Sequence, residues 1–151
     1  ASPLPKEVVE LETVKALINA GVVAITVGGG GIPVIDKGNG EYQGTAAVID
    51  KDYASSLLAR EIHADLFLIS TAVEKVAINF GKPDQQWLDR ITVAEAKHYL
   101  AEGTHFAKGS MAPKIQAILW YMEAGGKQAL ITNPENIGRA LRGETGTWIV
   151  P

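Results

Sequence analysis

The sequence predicts an α/β protein built on a mostly parallel sheet. Segments with helical spacing of apolar residues alternate along the chain with short runs rich in β-branched residues. These runs are continuous rather than alternating, which is typical of strands buried on both faces of a parallel sheet. Alternating helices and strands indicate right-handed crossover connections. We therefore expect one domain over residues 1–151, because no repeat, linker or low-complexity tract divides it.

The predicted elements alternate from one end of the chain to the other. Gly21 is a typical stop for the first helix. Thr92 and Glu95 form a capping-box pattern at the third helix, and Ser110 suits the N-cap of the fourth. Pro134 suits the first turn of the last helix. Helices are predicted at 6–20, 50–61, 92–102, 110–124 and 133–142, strands at 22–27, 65–70, 76–78, 129–132 and 147–150, an extended piece at 32–35 and a hairpin turn at 36–40.

Composition excludes several classes of protein. The chain has 151 residues, of which 46% are hydrophobic, and its formal net charge is −3. That length suffices for one continuous core, and the charge offers no basic surface for nucleic acid. No apolar stretch is long enough to span a bilayer and no secretory signal is visible, so we expect no membrane partner. Because the chain has no cysteine, a reducing cytoplasm is the expected location.

Four consecutive glycines follow the first predicted strand. In parallel sheets, ligands bind at the carboxyl ends of the strands, and residues without Cβ let backbone N–H groups approach an anion closely. Gly28, Gly29 and Gly30 are therefore candidates for phosphate binding, although a tight turn explains the run nearly as well. The dinucleotide-binding pattern is broken by Pro33, and the Walker A pattern is absent.

Two lysines occur where the helix dipole disfavours them. Lys51 and Lys114 each lie in the first turn of a predicted helix, where the macrodipole favours anions. Both helices start at the edge of the sheet where ligands are expected. A bound phosphate chain would neutralise both lysines, and Asp52 would hold their ammonium groups in place. Phosphoryl transfer needs positioned positive charge of this kind.

The remaining polar residues predict no second catalytic centre. Residues 71–76 follow another predicted strand and either border a base-binding pocket or form a plain connection. Ser70 and Thr71 lack an accompanying His and carboxylate arrangement, so a serine-hydrolase interpretation has little support. The three histidines are scattered, and with no cysteine the sequence predicts no protein-built metal site.

Four short segments together resemble a known family. They are residues 28–34, 47–52, 79–83 and 109–114, and the likeness extends to residues 143–147. In this order and spacing they resemble the carbamate kinases of the amino acid kinase family, over essentially the whole chain. The resemblance implies a three-layer αβα sandwich around a mainly parallel sheet. It also implies that this chain is the carboxy-terminal, nucleotide-binding half.

The resemblance implies roles for individual residues. Lys51 would face the phosphoryl group, Asp52 would organise the catalytic lysines, and Lys114 would contact the phosphates and stabilise the transition state. The residues expected to line the nucleotide are Gly28, Gly29, Gly30, Thr71, Ala72, Val73, Val76, Ile78, Met111 and Pro113. Ala72 and Lys75 depart from the family pattern, because many relatives carry Asp and Gly at these two positions.

The resemblance also implies a reaction. It is the reversible transfer of a phosphoryl group between carbamoyl phosphate and ADP, which gives ATP and carbamate and is assisted by Mg²⁺. The expected ligands are ATP or ADP and carbamoyl phosphate or carbamate. We expect the amino-terminal half with the acceptor site to be missing here, and the isolated fragment to be inactive. The likeness further implies a homodimer.

Two alternatives stay open. The chain could be a non-catalytic nucleotide-binding or interaction fragment that needs a partner half. It could also belong to a kinase of the same fold with another acceptor, such as an amino acid or a nucleoside monophosphate. Lys51 argues against that second alternative, since such relatives usually carry Thr or another residue at this position.

Overall fold

The computed structural model describes all 151 residues, which form two compact units, residues 1–62 and residues 63–151. We call them the amino-terminal unit and the carboxy-terminal unit. The amino-terminal unit contains two helices and one hairpin. Its elements are α1 (Leu11–Asn19), β1 (Val34–Gly38), β2 (Glu41–Gly44) and α2 (Lys51–Glu61).

Helix α1 is shorter than predicted but ends where predicted. Its end is a glycine-centred cap: the Gly21 amide donates to Ile18 O, the Val22 amide donates to Leu17 O, and Gly21 has φ +79°. The helix begins at Leu11 rather than at residue 6, and no side chain caps its start. Residues 9–10 form a turn in which the Leu11 amide donates to Val8 O at 3.1 Å, so the apolar pattern alone does not extend the helix to residue 6.

The predicted strand at residues 22–27 does not form. This segment has no regular secondary structure, and no strand pairs with it. Val23 and Ile25 are 91% and 99% exposed. A β-strand requires a neighbour that satisfies its backbone hydrogen bonds, so an apolar pattern typical of a buried strand is not sufficient by itself.

The hairpin predicted around residues 36–40 is present. Strands β1 and β2 pair antiparallel, with Val34 opposite Gly44. Asn39 and Gly40 form the turn with φ +56° and +79°, which matches the positive φ angles that tight hairpin turns require. Both strands are exposed along their whole length.

The carboxy-terminal unit contains the main sheet. Two of the three strand pairs in its four-stranded sheet are parallel, β3 with β7 and β6 with β8, whereas β7 and β8 are antiparallel. This confirms the prediction of an α/β fold with a mostly parallel sheet. The elements are β3 (Phe67–Ser70), β4 (Val76–Ile78), β5 (Gln86–Leu88), β6 (Arg90–Thr92), α3 (Val93–Glu102), α4 (Met111–Glu123), β7 (Ala129–Thr132), a 3₁₀ turn (Pro134–Asn136), α5 (Ile137–Leu141) and β8 (Thr147–Val150).

The sheet order is β3–β7–β8–β6, and β4 and β5 form a separate antiparallel hairpin. Helix α4 contacts α3 and β3, and α5 contacts β7. Apolar side chains from α4 and the central strands form the core of this unit. The large aliphatic side chains among them that are fully buried are Ile115, Ile118, Leu130, Ile131 and Ile149. No helix of the chain combines the length and the apolar character needed to cross a membrane.

The helix caps of this unit agree only partly with the predictions. The capping box of α3 is present: the Thr92 amide donates to Glu95 Oε2 at 2.7 Å, and the Glu95 amide donates to Thr92 Oγ1 at 3.1 Å. Ser110 precedes α4 as predicted, but its side chain forms no capping hydrogen bond. The last predicted helix is divided, because a 3₁₀ turn that begins at Pro134 precedes α5.

Candidate functional site

The glycine loop, residues 28–31, lies directly against the segment that leads into α2. Gly30 is buried and has φ +130°, and a Cβ on Gly30 would lie 1.9 Å from the carbonyl oxygen of Ile49. No residue with a side chain fits this position unless the backbone moves. The structure therefore brings the glycine loop together with the start of α2, which are two of the features that the sequence singled out.

The first turn of α2 holds two of the three predicted catalytic residues. The Asp50 carboxylate accepts hydrogen bonds from the amides of Asp52, at 2.8 Å, and Tyr53, at 3.2 Å. The Asp50 side chain therefore caps the start of α2. The Asp52 side chain is only 10% exposed, whereas the Lys51 side chain is 59% exposed, and Lys51 Nζ lies 3.9 Å from Asp52 Oδ2. The Asp52 carboxylate is therefore held in place by the fold, whereas the Lys51 side chain extends from the start of the helix into solvent.

The pKa of Tyr53 reflects burial and negative charge at the start of α2. Burial raises the pKa of its hydroxyl, and the negative charges of Asp50 and Asp52 raise it further. A nearby carboxylate disfavours a second anion and favours a cation. The start of α2 therefore combines a helix dipole that attracts anions with carboxylates that hold cations, and Lys51 is the residue next to both.

In the carboxy-terminal unit, Tyr121 fixes the end of α4 beside β3. This residue lies near the end of α4, where its hydroxyl donates to Ala64 O at 2.5 Å and its ring lies 5.5 Å from that of Phe67, the first residue of β3. The end of α4 therefore lies beside the amino end of β3. Lys114 is seven residues before Tyr121, about 10 Å along the helix axis, and β3 covers a similar distance.

Thr71 lies at the carboxyl end of the parallel strands β3 and β7. Thr71 directly follows β3, and its amide donates to Thr132 O at the end of the parallel strand β7. The first turn of α4 contains Met111 and Pro113 besides Lys114, all partly exposed, and it has no acidic residue. A helix N-terminus with a lysine and no carboxylate is electrostatically suited to an anion.

The segment of residues 71–78 is only partly accessible. Ala72 is exposed, and Thr71 and Val73 are partly exposed. Val76 and Ile78 belong to β4, where both side chains are buried. Of the residues expected to line the nucleotide here, Thr71, Ala72 and Val73 are therefore accessible to a ligand, whereas Val76 and Ile78 are not.

Thr147, in the motif at residues 143–147, holds this segment in place, and no local sequence pattern predicts that role. Its hydroxyl accepts a hydrogen bond from the Val76 amide at 2.8 Å and donates one to Leu88 O at 2.5 Å. Val76 and Leu88 are opposite each other in the β4–β5 hairpin. One buried hydroxyl thus ties both strands of the hairpin to β8.

A mostly parallel α/β sheet with lysine-bearing helix starts defines a protein class suited to phosphate compounds. Residues 2–133 match the amino acid kinase family, and the chain belongs to that family. The chain is 57% identical to the carbamate kinase-like protein YahI of Escherichia coli (strain K12) over 99% of the chain and 47% of that protein. It is 53% identical to the carbamate kinase of Thermoplasma volcanium over 99% of the chain and 48% of that enzyme.

Solved structures show the same relationship. The carbamate kinase from Giardia lamblia bound to AMP-PNP superposes with a TM-score of 0.93 and 42% sequence identity. The match covers 99% of this chain and 46% of the Giardia chain. The chain therefore has the fold of the matching part of carbamate kinases. It spans about half the length of the curated relatives it matches.

Proposed function

We propose that the chain, as one domain over residues 1–151, is the nucleotide-binding half of a carbamate kinase-like phosphotransferase. The observation that carries the proposal is that the likeness to carbamate kinases extends over 99% of the chain, and that one such relative is bound to AMP-PNP. The reaction transfers a phosphoryl group from carbamoyl phosphate to ADP. The bond between the carbamate oxygen and phosphorus breaks, a terminal ADP oxygen bonds to phosphorus, and carbamate leaves.

The lysines at the starts of α2 and α4 supply the positioned positive charge that phosphoryl transfer requires. The Lys114 ammonium neutralises phosphate oxygens at the start of α4, and Lys51 faces the transferring group from the start of α2. Asp52, nearly buried, lies 3.9 Å from Lys51 Nζ and orients the charge of that lysine. Backbone amides of Gly28 and Gly29 approach the phosphate, because no Cβ stands in the way, while the Gly30 amide donates to Val27 O and holds the loop in shape. The base lies beside Thr71, Ala72 and Val73.

The residues at this site suit a Mg²⁺ ion that binds together with the phosphates of the nucleotide. No group of three or more His, Cys, Asp or Glu residues in the chain could hold a metal ion. Mg²⁺ is usually bound through one or two carboxylates together with substrate phosphates. Its chemistry would be to neutralise charge on the phosphate oxygens, with Asp52 as the nearest candidate carboxylate at the start of α2.

The test is ATP formation from carbamoyl phosphate and ADP by the intact protein that carries this chain. Lys114→Ala should lower the rate about 100- to 1,000-fold, because the transition state loses a positioned charge. Lys127→Ala is the matched control, since Lys127 pairs with Asp65 at the opposite, amino-terminal end of the strands. A Lys114→Ala enzyme as fast as wild type would remove Lys114 from the mechanism.

A second candidate function is favoured by the exposed segment at residues 22–27. The chain would then be an interaction fragment that binds a partner half of the same protein and is inactive alone. Val23 and Ile25 support this, because an exposed apolar run with the pattern of a buried strand is suited to pair with another polypeptide.

We also propose that the assembled enzyme is a cytoplasmic homodimer.

Calorimetry and co-purification separate the two candidates. A chain that binds ADP–Mg²⁺ alone already contains a formed nucleotide site. A chain that binds ADP–Mg²⁺ only after a separately expressed amino-terminal half has been added is an interaction fragment. Sedimentation of the assembled enzyme then tests the homodimer, and a monomeric enzyme with full activity would exclude it.

A further inference from the structure

The segment that follows β3 contains three consecutive residues, Glu74, Lys75 and Val76, that each form a hydrogen bond or an ion pair with another part of the carboxy-terminal unit. The Glu74 carboxylate accepts a hydrogen bond from Thr145 Oγ1 at 2.5 Å, and Arg139 lies 3.7 Å from the same oxygen. Lys75 forms an ion pair with Asp89. The Val76 amide donates to Thr147 Oγ1 at 2.8 Å. The path of this segment is therefore set by contacts from outside it.

Two of these contacts come from one short motif, residues 143–147. Thr145 and Thr147 are both buried, and their hydroxyl groups reach Glu74 and Val76, two residues apart, on the same segment. The two hydroxyl groups therefore act on the segment together, as a clamp formed by Thr145 and Thr147.

The glycines of the motif place this clamp. Gly143 ends α5 with φ +78°, and its amide donates to Ala140 O, while the Glu144 amide donates to Arg139 O. Gly146 has φ +81°, and a Cβ there would lie 2.8 Å from Leu130 Cδ1 and 3.1 Å from Ile131 O. The motif therefore packs directly on β7, and this fixes the two threonines beside the segment.

The Glu74 contact is stronger than an ordinary surface hydrogen bond. A hydroxyl that donates to a carboxylate forms a charge-assisted hydrogen bond, which is roughly twice as strong as a neutral one. Arg139 adds positive charge to the same carboxylate, and Glu144 holds Arg139 at 3.5 Å. The carboxylate is thus fixed although the Glu74 side chain remains 43% exposed.

We propose that Thr145 and Thr147 are positioning residues that hold residues 71–76 in the shape that receives the base of the nucleotide. The clamp acts on nucleotide affinity and not on phosphoryl transfer, because its contacts are with Glu74 and Val76 and not with the lysine-bearing helix starts. This inference rests on the proposed nucleotide-binding function. It assigns to residues 143–147 a role that their sequence alone does not indicate.

The experiment compares Thr145→Val with Thr145→Ser in the intact protein. Valine keeps the shape of the side chain but removes the donor to Glu74, whereas serine keeps the donor. Thr145→Val should raise the KM for ADP about tenfold and leave kcat within about twofold of wild type, since one charge-assisted hydrogen bond is lost. Thr145→Ser should restore the KM. Lys127→Ala, at the other end of the strands, is the control for loss of a surface contact.

Amide hydrogen exchange of residues 72–76 provides a readout that does not depend on the nucleotide. Faster exchange there in Thr145→Val, together with the higher KM, is the expected result. Unchanged exchange and KM would overturn the proposal, and so would a fall in kcat at constant KM. If the segment loosens but the wild-type protein binds no ADP, the proposed function fails, and with it the assignment of the clamp to nucleotide affinity.

Discussion

Gly30 shows how the identity of a single residue follows from backbone contact. Its amide donates to Val27 O at 2.7 Å, and its Cα faces the Ile49 carbonyl that precedes the N-cap of α2. Gly29, next to it, has no positive φ and open space where a Cβ would stand. The two adjacent glycines of one loop therefore have different reasons to be glycine, and alanine substitution can separate them.

Gly30→Ala should destabilise the protein by at least about 1–3 kcal/mol, because the new methyl group overlaps the Ile49 carbonyl and L-residues are strained at φ +130°. Gly29→Ala should change the free energy of unfolding by less than about 0.5 kcal/mol. Urea unfolding measures both. If the two variants were equally stable, the close approach of Gly30 to Ile49 would not exist in solution.

The sequence indicated some site residues and missed others for a physical reason. Lys51 and Lys114 stand out because the helix dipole is a local property, and both residues do lie in the first turn of a helix. Glu74 and Thr145 are 71 positions apart, and their contact depends on how β8 and the segment after β3 are brought together. No local pattern predicts such a pair.

At the scale of secondary structure, the capping box of α3 gives a pH-dependent prediction. Hydrogen bonds from the amide and the hydroxyl of Thr92 lower the pKa of Glu95 below its ordinary value of 4.5. The ionised form is therefore favoured by folding, so its contribution is present above pH 4.5 and is lost as the pH falls through the lower, folded value.

Glu95→Gln should therefore be less stable than wild type at pH 7, and the difference should shrink as the pH falls below the ordinary pKa of a glutamate, since protonated Glu and Gln are similar acceptors. Thermal unfolding at a series of pH values measures this difference. The control is Glu61→Gln, because Glu61 lies at the end of α2 and takes no part in a capping box. A constant difference between wild type and Glu95→Gln at all pH values would exclude the charge of Glu95 as the cause.

Elements with their own local signals could be predicted, and elements that depend on a partner could not. The starts of α2 and α3 carry capping side chains, and their positions were predicted to within one residue. Strands β5 and β6 were missed because each has three residues that, unlike the equally short but wholly apolar β4, include polar side chains and form no apolar run. Residues 22–27 have the pattern of a strand but no partner strand in this chain.

At the scale of the whole molecule, the unpaired segment at residues 22–27 is the largest difference between the sequence pattern and the structure. An apolar run with which no strand pairs is prone to associate with other chains, because its edge is open and the side chains of Val23 and Ile25 are exposed. Val23→Thr with Ile25→Thr should therefore reduce self-association. It should change the free energy of unfolding by less than about 0.5 kcal/mol, since both side chains are already exposed to water.

Val14→Thr, in the buried face of α1, is the matched control, and it should cost about 1–3 kcal/mol because its hydroxyl is removed from water. Sedimentation velocity over a range of concentrations and urea unfolding measure the two effects. If the double variant is as unstable as Val14→Thr, residues 22–27 are packed in the isolated chain. If it is stable and monomeric but no longer binds the amino-terminal half, the apolar run at 22–27 is the surface through which that half is recognised.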